Sequence, residues 1–69
     1  MNTQLKIYDL LKEGNKLSRK DIKITLNTSI QNAGLIFNKV VKLERVSKIL
    51  VEEVHNGHHF LVEYLVYNI

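Results

Sequence analysis

Over roughly the first two thirds of the chain, apolar side chains recur every three or four residues; over the last third they crowd into two strand-like runs. From Thr3 to Glu13, Leu5, Ile7, Tyr8, Leu10 and Leu11 fall at helical spacing, and Gly14-Asn15 supplies the left-handed stop that ends helices. After Lys16-Leu17, Ser18 can accept from the backbone amide of Asp21 while the Asp21 carboxylate reaches back to the amide of Ser18, a short-armed capping box. A second, short helix is therefore predicted from Arg19 to near Leu26. Asn27-Thr28-Ser29 is a cluster of side chains that bond their own backbone, so it predicts a tight turn ending in a new N-cap. The third helix that follows carries Ile30, Ala33, Gly34, Phe37, Val40 and Val41 as one apolar stripe, broadened by Ile36 and Leu43. Its other side carries Gln31, Asn32, Leu35, Asn38, Lys39 and Lys42, among which Leu35 does not suit a solvated face.

From Val46 to Val54 and from His59 to Tyr67 the residue types change to Val, Ile, Leu, Tyr and Phe, the chemistry of strands. Between them stands His55-Asn56-Gly57-His58, and Asn-Gly between apolar runs is a strong hairpin signal because both central residues of the primed turn need positive φ. With Asn56 and Gly57 as the loop, His55 faces His58, Glu53 faces Phe60, Val51 faces Val62 and Ile49 faces Tyr64 on one side. The other side pairs Val54 with His59, Glu52 with Leu61, Leu50 with Glu63 and Lys48 with Leu65.

At 69 residues the chain has room for one domain, spanning 1–69, and its 45% apolar and 25% charged residues suit a soluble globular fold. Without cysteine there is no disulfide, thiolate nucleophile or cysteine-type zinc finger, so a reducing cytoplasm is the expected compartment. No apolar run approaches a membrane span, and Met1 to Leu10 lacks the form of a signal peptide. Heavy use of lysine, isoleucine and asparagine points to an AT-rich source such as a phage, plasmid or low-GC bacterium. The net charge of +3 is unevenly spread: through Arg45, nine Lys and Arg face four acids, while from Val46 onward Lys48 faces Glu52, Glu53 and Glu63. A positive field over the first part favours a polyanion as partner, although the same excess also serves solubility.

The order of elements, helix, short helix, tight turn, longer helix and hairpin, resembles a winged helix-turn-helix domain, an α+β fold of three helices followed by a two-stranded wing. Ile7 and Leu11 match the packing positions of the first helix, Leu17-Ser18 the lead into the second, Ile22 and Leu26 its buried positions, Ser29 the start of the third, and Ala33, Ile36, Phe37 and Val40 its core face. The match covers nearly the whole chain and rests on pattern, without a diagnostic string. Many relatives place a glycine after the third helix, where this chain has Glu44-Arg45. The resemblance implies a sequence-specific binder of double-stranded DNA, a transcriptional regulator with helix three in the major groove. Gln31, Asn32 and Asn38 would read base edges, Lys39 and Lys42 would reach phosphate or guanine, and Leu35 would touch a thymine methyl. Arg19, Lys20 and Lys23 would flank the groove on the backbone, with Ser29 at the helix start. For any single residue the plain alternative is an exposed, solvated helix, and the collective placement counts for more than one member.

The hairpin fits that role poorly, since Glu52, Glu53 and Glu63 would repel phosphate and only Lys48 opposes them; either it stands away from DNA or it makes another contact. His55, His58 and His59 at its tip place imidazoles within reach of one ion, but a structural zinc site takes four ligands, so polar turn residues are the plainer expectation and no metal or cofactor is implied. Both faces of the hairpin are apolar, so Leu50, Leu61, Leu65 and Tyr67, with Ile69, are expected to need cover. A homodimer interface would supply it; Ile69 and the strand ends curling over helix one is the alternative. Nothing in the sequence resembles a catalytic constellation, and no enzyme is expected. A second function remains open at this stage, a protein-binding adaptor or inhibitor using Leu35 and the acidic wing.

Overall fold

The computed structural model describes residues 3–69; Met1 and Asn2, the start of the stretch read for a leader, lie outside the described residues. Five elements follow in order: α1 (Thr3–Lys12), α2 (Arg19–Leu26), α3 (Ile30–Val40), β1 (Val46–His55) and β2 (His58–Tyr67). Local chemistry sets their ends. Past α1, Gly14 adopts φ +99° and the Asn15 side-chain amide donates to the Leu10 carbonyl at 2.9 Å, satisfying one of the carbonyls a helix end leaves open. The capping box of α2 is formed: the Asp21 amide donates to Ser18 Oγ at 3.2 Å and the Ser18 amide to Asp21 Oδ2 at 2.9 Å. Asn27 takes the left-handed cap at φ 51° and Ser29 Oγ accepts the Asn32 amide at 3.1 Å, so α2 stops and α3 starts within three residues. Each N-cap is worth ~0.5 to 2 kcal/mol, enough to choose a boundary in helices this short.

Asn56 and Gly57 adopt φ 52° and 78°, the primed turn, and every cross-strand pair predicted for the hairpin is present, from His55 with His58 to Lys48 with Leu65. A further pairing adds to this hairpin. Leu17, in the link between α1 and α2, exchanges two backbone bonds with Leu65, its amide donating at 3.1 Å and its carbonyl accepting at 2.8 Å, so β2 is flanked on both edges at its base. After α3, Arg45 takes φ 66° and its carbonyl accepts the Asn68 amide at 2.6 Å.

The core joins Ile7 and Leu11 of α1, Leu17, Ile22 of α2, Ala33, Ile36, Phe37 and Val40 of α3, and Leu65 of β2. Each large side chain removed from water there contributes ~1.5 to 3 kcal/mol. This corrects the expected apolar patch. Leu65 is fully buried in the chain's own core and Tyr67 packs against it, its ring edge-on to Tyr8 at 5.9 Å. Both sit at the base of the hairpin, where Val46 and the Leu17 link bring it onto the helices; Leu50 and Leu61 lie further out on the same face and stay 62% and 69% exposed. Ile69 is fully exposed and does not curl over α1. Ile30, expected in the apolar stripe of α3, is half exposed, because the core contacts of this helix begin one turn later, at Ala33. Among the described residues no helix is long and apolar enough to cross a membrane.

Candidate nucleic-acid interface

The tight α2–α3 corner and the burial of Ala33, Ile36, Phe37 and Val40 turn the other side of α3 outward. Gln31, Asn32, Leu35, Asn38, Lys39 and Lys42 are all exposed, Leu35 by 60%. The polar ridge expected from the pattern is therefore present as a surface. Its members differ in freedom. Asn32 donates from Nδ2 to Thr28 Oγ1 at 2.8 Å, which steers its amide and occupies one of its two amide hydrogens. The Ser29 hydroxyl is engaged in capping α3, although the residue remains exposed.

The cations separate into two groups. Lys20 and Lys23 on α2, Lys39 on α3 and Lys42 just beyond it are exposed, and among the described residues none forms an ion pair. Arg19 is committed elsewhere. Its guanidinium lies 3.9 Å from the centroid of the Phe37 ring and donates from Nη1 to Glu63 Oε1 at 2.8 Å, so it couples α2 to α3 and to β2 instead of standing open to an anion. That engagement depends on a carboxylate 44 residues away and on a ring one helix further on, neither of which a local pattern reveals.

The hairpin acids are all partnered. Glu63 accepts from Lys48 at 2.8 Å as well as from Arg19, and the two hydrogen-bonded cations, Lys48 foremost, hold its carboxyl below the usual range. Glu53 is lowered chiefly by the Tyr64 hydroxyl that donates to it, then by His55. The same bond, with partial burial, pushes the Tyr64 phenol up to about 12. Glu52 pairs with His59. Lys16 lies over the Tyr64 ring, 4.7 Å from its centroid. Each hairpin acid thus has a hydrogen-bond or ion-pair partner, and Glu63 alone is paired with a lysine and an arginine. Among the described residues no group of three or more His, Cys, Asp or Glu side chains is placed to hold a metal ion.

Between the start of α2, Ile30 and the outer part of β2 runs an open groove of about 320 Å³, whose walls include Lys20, Leu61 and Glu63. Leu61, expected in a dimer patch, lines this groove. Comparison of the chain with protein-family models, with curated proteins and with solved structures finds no match.

Proposed function

We propose that this chain is a winged helix-turn-helix protein that binds double-stranded DNA in a sequence-dependent way through α3 and acts as a transcriptional regulator. The observation that supports the reading is that Lys20, Lys23, Lys39 and Lys42, on and just beyond α2 and α3, are exposed and form no ion pair among the described residues, while Arg19 and Lys48 are held by Glu63. Gln31, Asn32 and Asn38 offer paired donors and acceptors suited to adenine edges. The four lysines supply the phosphate contacts that position the helix. Arg19 acts by holding the helices and the hairpin together. Glu63 is held by Arg19 and Lys48, whereas Glu52 and Glu53 bond to histidine and tyrosine side chains, so the wing does not grip phosphate.

Binding of the purified chain to mixed duplex DNA across a salt series tests this. Four lysines at ~0.9 counterions each predict log K falling against log salt with a slope near −3.6 per subunit. Replacing Lys39 by Ala reduces that slope by about one, and replacing Asn38 by Ala lowers selectivity between sequences with the slope kept. A second reading, an adaptor that docks a protein, draws on the 60% exposure of Leu35 amid polar neighbours. Absence of DNA binding at low salt would favour it and end the first.

A further inference from the structure

We propose that β1 is the strand through which two copies of this chain pair, edge to edge, into a four-stranded antiparallel sheet. The backbone fixes which groups of β1 are available. In a hairpin closed by a two-residue turn, the flanking pair, here His55 and His58, exchanges both backbone bonds, and the bonded pairs then alternate along the ladder. Odd-numbered residues of β1 therefore bond to β2 and even-numbered ones turn their N–H and C=O outward. Four observed bonds agree with this phase. Arg45 accepts from Asn68 on the β2 side, the Val46 amide turns away to the Leu43 carbonyl at 3.3 Å, and Leu65, opposite Lys48, spends its groups on Leu17. Lys48, Leu50 and Glu52 consequently present outward-facing backbone groups along an edge with no strand beside it among the described residues.

An unpaired strand edge of this length is a template for another strand. A second copy related by a two-fold axis must run antiparallel, with the axis normal to the sheet, so the only choice left is the residue on the axis. Centring on Lys48 or on Glu52 sets like charges opposite each other, and centring on Ile49 or on Val51 sets leucine against lysine or glutamate. Centring on Leu50 places Lys48 opposite Glu52 of the second copy, twice by symmetry, with Leu50 against Leu50, Ile49 against Val51 and Val46 against Val54. Charge and hydropathy agree in that register alone. Lys48, with three donors, can keep Glu63 while meeting the new carboxylate. The exposed side chains of Ile49, Leu50 and Val54 then gain apolar neighbours. Because the axis is normal to the sheet, the helical halves of both copies fall on one face of it, at opposite ends. This pairing is independent of what the α3 ridge binds.

The chain contains no cysteine, so single cysteines report geometry directly. Bonded antiparallel partners stand about 5.5 Å apart at Cα, inside the ~4.4 to 6.8 Å that a disulfide spans. Leu50→Cys is expected to cross-link to a second copy under oxidised glutathione, and Leu61→Cys, on the same face but turned to the groove, is not. In sedimentation equilibrium the unmodified chain is expected to be a dimer at tens of micromolar. Glu52→Lys and Lys48→Glu each raise its dissociation constant about tenfold or more, and the two together restore it. Circular dichroism melting of each variant separates loss of pairing from loss of fold. A monomeric wild type, cross-linking at Leu61→Cys in place of Leu50→Cys, or a charge-swapped double variant that stays dissociated while folded overturns the proposal.

Discussion

The helical half and the hairpin spend their side chains in opposite ways. In the helices one apolar stripe is buried and several cations are left without an ion pair; in the outer hairpin each acid has a side-chain partner, and Leu50, Val54, Phe60 and Leu61 are left exposed. Geometry is the cause. Three helices crossing at short connections enclose a volume, whereas a ten-residue ladder reaches past the helices it packs on, so only its base is covered. Exposed charge marks one region as a candidate for a polyanion, and an exposed strand edge marks the other as a candidate for a second strand.

The largest expected effect tests the boundary between the covered and uncovered parts of one strand. Leu65→Ala opens the core and is expected to cost ~2 to 5 kcal/mol, whereas Leu61→Ala, on the same face of the same strand, is expected to change stability by less than about 0.5 kcal/mol. Urea unfolding of both variants measures the difference, and similar losses would show that the hairpin is covered along its length.

A smaller effect tests the joint between the two regions. Arg19→Ala removes the contact with the Phe37 ring, worth ~0.5 to 1 kcal/mol, and leaves Lys48 as the remaining ion-pair partner of Glu63. Stability is expected to fall while the salt slope of DNA binding stays unchanged. A slope reduced as much as by Lys39→Ala would return Arg19 to the phosphate-contacting set.

The smallest effects are in pH dependence. Glu63 has a lowered folded pKa, so its contribution is present above its unfolded value of about 4.3 and is lost as pH falls through the folded value. Tyr64 has the opposite sign: its phenol is raised to about 12 in the folded chain, so its contribution is full below its unfolded value of about 10 and is lost as pH rises through the folded one. Thermal melts at alkaline pH should decline less steeply for Tyr64→Phe, and the ultraviolet titration of that variant should lack the latest phenolate. Loss of a phenolate that ionises near the unfolded value of about 10, instead of a late one, would mean that the Glu53 bond does not form in solution.

Much of this architecture is local and therefore legible in the chain. Gly14, the Ser18 and Asp21 box, Asn27, Ser29 and Asn56-Gly57 each act within a few residues, and together they place the end of α1, both ends of α2, the start of α3, the turn between the strands and the hairpin register. The exposed ridge of α3 follows as well, because a helix with one buried stripe must turn the opposite residues outward. What tertiary structure alone decided concerns partners far apart in sequence. Leu65 and Tyr67 share their pattern with Leu61, and only the placement of the helices under the base of the hairpin buries the first two and leaves the third exposed. Leu17 shows no strand pattern of its own, since its partner lies 48 residues on. Arg19 looked like a free cation until Glu63 and Phe37 were brought beside it. Period and capping are properties of neighbours along the chain and can be read there; burial and charge compensation belong to neighbours in space, and those exist only once the chain has folded.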